Sequence, residues 1–249
     1  MRTFLFLILV LHTTGSFAQD FLRVLASGSW TAAYARSAGA DSVDILAPTN
    51  LLHPSEYELS IHDMQKINQA GLIIYGGYEV AIAQMKKMLN LDPEKYLAIE
   101  TNYTEKSIAE SLLKIAQRLG TEAQARKSVA EIGALFREAR RQVEQLGLKG
   151  KPVLVHFFQE AFIRELGMIP AGIIGPAPLE VYEIAGMAKK ECVLIIDNVH
   201  NPVAQPLKEI LKQTPVVELV NFPDYADTTT LESVIRYNLE QIIQSQTNP

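Results

Sequence analysis

Residues 122–146 set Val129, Ile132, Leu135, Phe136, Ala139, Val143 and Leu146 at helical spacing before Gly147 and Gly150 end the pattern. At about 1.5 Å per residue such a helix runs close to 37 Å, roughly the diameter of a small domain. That length suits a strut between two lobes better than a helix packed on one small sheet. The same local pattern stands on both sides of it. Short apolar runs at 22–26, 43–47 and 72–75 precede it, runs at 152–155, 193–196 and 216–220 follow it, and helical patterns separate them. Strands spaced by helices in this way imply βαβ units and parallel sheets. The expected fold is α/β: two lobes, each a parallel sheet flanked by helices, joined by a single long rigid helix with a cleft between them. The expected boundaries are a signal peptide at 1–18, an N-terminal lobe at 19–121, the bridging helix at 122–148 and a C-terminal lobe at 149–249.

The first residues read as an export signal. Arg2 supplies a positive start, residues 4–11 form an apolar stretch too short to span a bilayer, and Ser16, Phe17 and Ala18 fit a small-x-small cleavage site before Gln19. No later apolar run exceeds that length without a charge, so the mature chain is expected to be soluble, with no membrane insertion after cleavage. No cysteine near the cleavage site could carry a lipid, which favours a periplasm. The single cysteine, Cys192, opens an apolar run and has no disulfide partner, so a buried thiol is expected. Formal net charge is −5, one unit more negative once Arg2 leaves with the signal, and no basic block occurs anywhere. Nucleic acid and anionic membrane surfaces are therefore poor partners.

Of five histidines, His12 lies in the signal and four remain. His156 ends the apolar run at 152–155, the carboxyl end of an expected parallel strand, where α/β proteins place ligand-binding groups. Two further strand ends carry metal-type ligands: the run at 193–196 leads into Asp197 and His200, and the run at 216–220 leads into Asn221 and Asp224. His53 lies in the loop at 48–60. These five, His53, His156, Asp197, His200 and Asp224, are the candidate metal ligands. Three of them have a structural alternative: a buried histidine satisfied by backbone for His156, a solvated loop residue for His53, and a turn or helix cap for Asp197. His62 is set aside because residues 60–63 look like a helix-start capping pattern that points it to water.

Three stretches resemble a known family. Pro54, Ser55, Glu56, Tyr57, Glu58, then Asp63 and the run from Gly71 to Gly77, follow the loop, helix and next strand of the periplasmic binding proteins that deliver zinc, manganese or iron to ABC importers, cluster A-I. His156, Phe162, Gly167 and Met168 fall on the spacing of that family's second-lobe histidine helix. Arg236, Tyr237, Asn238 and Leu239 resemble its closing helix. The resemblance spans essentially residues 21–243 and implies metal bound between two α/β lobes. The chain departs from the pattern at two places. The family's first histidine falls on Ser55, with His53 two residues earlier, and its second histidine has no counterpart in Glu100, Thr101, Asn102, Tyr103 and Thr104.

A shell of His53, His156, His200 and one of Asp197 or Asp224 would satisfy the roughly four-coordinate preference of Zn²⁺. Imidazole with carboxylate favours zinc, with Mn²⁺ or Fe²⁺ the alternatives. The expected protein is a non-enzymatic, periplasmic, monomeric solute-binding protein that hands a divalent metal to the membrane permease of an ABC importer. Trp30, just after the first strand, should report metal by fluorescence. Two other readings remain: a degenerate member acting as an interaction module, and a hydrolase using zinc-activated water.

Overall fold

The computed structural model describes residues 22–49, 51 and 53–247; the expected signal segment and its cleavage site lie outside them. In the first lobe β1 (Val24–Ala26) is followed by α1 (Ser29–Ser37), β2 (Val43–Ile45), α2 (Asp63–Gln69), β3 (Leu72–Tyr75), α3 (Val80–Met88) and β4 (Tyr96–Ala98). Two long helices come next, α4 (Glu105–Leu119) and α5 (Glu122–Gln145). The second lobe contains β5 (Pro152–His156), α6 (Glu160–Glu165), β6 (Ile169–Ile174), α7 (Val181–Met187), β7 (Leu194–Asn198), α8 (Gln205–Ile210), β8 (Val216–Leu219) and α9 (Leu231–Thr247).

Each lobe is built on a four-stranded sheet, ordered β2-β1-β3-β4 and β6-β5-β7-β8, with every pairing parallel. The two sheets repeat one topology, so the first strand of each lobe is central and the chain leaves it in both directions. That reversal opens a crevice at the carboxyl ends of β1 and β3, and of β5 and β7. Two strands go beyond the apolar runs of the sequence. β4 offers only three residues, of which Leu97 alone is buried, and β6 contains Pro170 and Gly172. Both are edge strands, where one face of hydrogen bonding suffices and proline is tolerated. The ladder of β6 shifts register against β5 between Val153 and Leu154.

The long helix is present as expected, α5 running for 24 residues with Ala125, Ser128, Ile132, Phe136, Ala139 and Val143 buried along one stripe. It does not act alone. α4 lies against it, closed by Gly120 in the left-handed conformation at φ 71°, and α9 packs against it as well. One continuous core takes in β1 and β3 of the first lobe, α4 and α5, and β5, β7 and α9 of the second. Through it runs an aromatic chain. Trp30 stacks on Tyr103 at 4.5 Å, Tyr103 meets Phe162 edge-on at 5.5 Å, and Phe162 meets Phe136 at 6.1 Å. Such ring pairs contribute about 0.5–1.5 kcal/mol each beyond their buried area. They form the floor on which both lobes stand. Among the described residues no helix is long and apolar enough to cross a membrane.

Candidate functional site

The carboxyl ends of β1, β3, β5 and β7 open onto one cleft of about 780 Å³ between the lobes. The first-lobe wall is held by Glu79. Its carboxylate accepts from Ser27 Oγ at 2.6 Å and from the backbone N–H groups of Gly76, Gly77 and Tyr78 at 2.7, 2.8 and 3.0 Å. One buried side chain therefore ties the turn after β1 to the turn after β3. Four donors are enough to satisfy a carboxylate that burial would otherwise leave costly. The sequence gives little sign of this, because Glu79 reads as an ordinary first-turn acid before α3.

His53 also stands on this wall, in the loop preceding a short 3-10 turn at Pro54–Glu56. Its side chain is exposed and makes no hydrogen bond among the described residues. Ser55 and Glu56 line the cleft beside it, and so do Thr101 and Asn102. Ser55, where the resembling family's first histidine falls, thus lines the cleft as a hydroxyl, and the segment that lacks the second contributes Thr101 and Asn102. Trp30 lines the floor, its indole N–H donating to the Thr101 carbonyl at 3.2 Å. Asp63 does what the capping pattern implied, accepting from both the N–H and the hydroxyl of Ser60 at 2.8 and 2.7 Å, and His62 is exposed.

The second-lobe wall carries His200. Asn198 at the end of β7 fixes the turn by accepting the His200 N–H through Oδ1 at 2.8 Å. The imidazole stacks on Phe222 at 3.7 Å and pairs through Nδ1 with Asn221 Oδ1 at 2.9 Å. With a carbonyl oxygen as partner, Nδ1 carries the proton, which leaves the lone pair on Nε2. A second-sphere amide that fixes tautomer and ring plane is the usual support of a metal-ligating histidine. Burial holds the His200 pKa below its ordinary 6.5. The Asn221 bond opposes the shift, and the charge of His53 adds to it. His53 and His200, one from each lobe, thus line the same cleft.

His156 sits deeper, fully buried at the end of β5. Its Nδ1 accepts the Phe158 N–H at 3.2 Å, so Nε2 carries the proton and donates to Asn201 Oδ1 at 3.0 Å. Both ring nitrogens are engaged. Gly175 closes over the ring at φ 70°, and a Cβ there would stand 2.6 Å from Nε2, so only glycine fits. Burial depresses the His156 pKa, against the Asn201 bond and the charge of Asp197. Asp197 is buried too, and its carboxylate accepts from the N–H groups of Asn198, Val203 and Ala204 at 2.9, 3.1 and 2.9 Å. Those bonds shape the turn into α8. Asp224 is exposed in a left-handed conformation at φ 76°, does not line the cleft, and donates its N–H to the Thr228 carbonyl at 2.7 Å.

The five candidates are therefore distributed unequally. His53 and His200 both line the cleft, His156 and Asp197 are buried outside its lining with their polar atoms occupied, and Asp224 lies off it. Among the described residues no three His, Cys, Asp or Glu side chains form a group able to hold a metal ion. Cys192 is half-buried, away from the cleft lining, and free.

No family model matches the sequence, and no curated protein matches it. Solved structures do match in fold. The solute-binding protein FpvC of P. aeruginosa, in complex with Ni²⁺, superposes with a TM-score of 0.70 at 16% identity, over 91% of this chain and 97% of that one. The laminin-binding protein Lmb of Streptococcus agalactiae, described as bifunctional with adhesin and metal-transporting activity, gives 0.68 at 17%, over 90% and 99%. A Mn-bound periplasmic metal-binding protein of Candidatus Liberibacter asiaticus gives 0.64 at 17%, over 90% and 98%. This chain shares the two-lobed fold of these metal-binding proteins.

Proposed function

We propose that this chain is an exported binding protein that captures a divalent transition-metal ion as cargo in the interlobe cleft and delivers it to the permease of an ABC importer. The observation that carries the reading is the pair His53 and His200, on opposite lobes, facing one cleft, with His200 oriented by Asn221 so that Nε2 is free. A metal taken by both would join the lobes, and a permease can read the joined form. Similarity in fold to proteins described with Ni²⁺ or Mn²⁺ supports it. Zinc is our preferred cargo over Mn²⁺ or Fe²⁺ because both free donors are imidazole nitrogens, which suit zinc better than manganese. His156 and Asp197 would join the shell only by releasing Asn201 and the turn before α8. The role is carriage and not catalysis, and it places the mature protein, from Gln19 onward, in the periplasm as a monomer.

The test is a calorimetric titration of Zn²⁺, Mn²⁺ and Ni²⁺ into the chelator-stripped mature protein, with His200→Ala beside it. One-to-one binding lost in the variant supports the reading; binding indifferent to His200 contradicts it. One observation favours a second reading, an interaction module. Fewer than three donor side chains meet at the cleft, and a protein of the same fold is described as an adhesin. A folded protein that binds none of these ions would favour that reading.

A further inference from the structure

We infer that the cargo enters the cleft as a metal complex, a divalent ion already held by a small, uncharged, planar chelator that supplies the donors the protein lacks. This rests on the metal reading above and names the chemical class of what that site takes. The first observation is a shortage of ligands. Two imidazoles satisfy half of a tetrahedral shell and a third of an octahedral one, and among the described residues no group of three His, Cys, Asp or Glu side chains is placed to hold an ion.

The second observation is space. Six waters around an ion occupy roughly 180 Å³ at about 30 Å³ each, whereas the cleft measures about 780 Å³. That volume lies within the range of small-molecule sites, about 300–1,000 Å³.

The third observation is the surface. Phe157 and Phe158, immediately after β5, line the cleft while remaining 52% and 42% exposed, and Tyr78 of the first lobe lines it too at 58%. A site built only to strip and hold a bare ion gains nothing from exposed aromatic faces, whereas a planar ligand stacks on them. The fourth is charge. No lysine or arginine lines the cleft among the described residues; its charged side chains are Glu56, Glu79 and Glu160. Glu79 is consumed by its four hydrogen bonds, and Glu160 pairs with Arg164 at 2.7 Å. An anionic, carboxylate-rich chelator would find no countercharge there, while an uncharged chelator leaves the complex cationic and suited to the site. Amide groups of Asn102, Asn201 and Asn221 at the rim can bond to its heteroatoms.

The experiment compares three probes by calorimetry on the mature protein: aqueous Ni²⁺, the one-to-one complex of Ni²⁺ with 2,2′-bipyridine, and the Ni²⁺ complex of nitrilotriacetate. Nickel is used because its complexes exchange slowly enough to stay intact. The bipyridine complex should bind about tenfold more tightly than the aqueous ion, the gain expected of one added aromatic contact. The nitrilotriacetate complex should show no gain. In the Phe157→Ala/Phe158→Ala double variant, whose changes fall on exposed side chains, the advantage of bipyridine should vanish while aqueous Ni²⁺ binds as before. Aqueous Ni²⁺ binding as tightly as the bipyridine complex, with dependence on His53 and His200 intact, overturns the chelate inference alone. Failure of every probe to bind overturns the metal reading and this inference together.

Discussion

The two walls of the cleft are built from the same topology yet hold their histidines differently. On the second lobe His200 is 8% exposed, stacked on Phe222, bonded to Asn221, and mounted on a turn fixed by Asn198. On the first lobe His53 is exposed in a loop and its imidazole bonds to nothing among the described residues. The difference suggests a sequence of capture. Under the proposed function the second lobe would offer a donor whose orientation is already fixed on folding, and the first lobe a donor that has to be fixed on binding. A protein that must release what it binds gains from one firm and one loose contact, since the loose one sets how easily the cleft opens.

Removing each histidine in turn separates the roles of the two walls. His200→Ala should weaken Zn²⁺ binding by more than about 100-fold, because losing a ligand exceeds the roughly 10–100-fold cost of losing its hydrogen-bonded support. His53→Ala should weaken it too, but with a faster off-rate and an unchanged on-rate, measured by stopped-flow Trp30 fluorescence. Equal loss of on-rate in both variants would erase the distinction between the walls. Asn221→Ala, which frees the His200 ring without removing it, should cost about tenfold in affinity, and a silent variant would mean that the second-lobe donor is not pre-oriented.

Stability sharpens the same contrast. Glu79→Ala leaves three backbone N–H groups and the Ser27 hydroxyl without their acceptor and should cost about 2–3 kcal/mol in urea unfolding. Asp197→Ala should cost about as much for the same reason on the other wall. The pH dependence follows from the second lobe. Burial holds the pKa of both His156 and His200 below 6.5, so the folded rings resist protons that the unfolded chain accepts. Below about pH 6.5 the unfolded state binds more protons, and stability falls; above it these groups contribute a constant amount. Urea midpoints at pH 7.5 and 5.5 should differ in that direction, and a higher midpoint at 5.5 would contradict it. The smallest effect belongs to Arg140 on α5, which bridges Glu105 of α4 and Glu165 of α6 at 2.9 and 2.7 Å. Its charges are partly exposed, and Arg140→Met should cost less than about 1 kcal/mol.

Much of the architecture was legible before any coordinates, because it rests on periodicity. The apolar stripe of α5 and the buried central strands β1, β3, β5 and β7 are long or uniformly apolar, and burial on both faces writes itself into such runs. The edge strands β4 and β6 were not legible. A strand paired on one side tolerates Pro170 and Gly172, so its sequence looks like a loop. At the site, strand-end position pointed to His156, Asp197 and His200 alike. It could not say which ring nitrogens and carboxylate oxygens the turns themselves would consume. That depends on where the N–H groups of Phe158, Val203 and Ala204 fall, which is set by loop paths of a few residues. Glu79 leaves no sequence signal for the same reason, since its four donors come from two separate turns.

The X-ray absorption fine structure of the Zn²⁺-loaded mature protein counts the imidazoles bound to the metal. The account predicts two imidazoles per metal, with the remaining positions filled by light donors at about 2.0–2.2 Å, and one imidazole in either His53→Ala or His200→Ala. A shell with no imidazole, or one unchanged by either substitution, would contradict it.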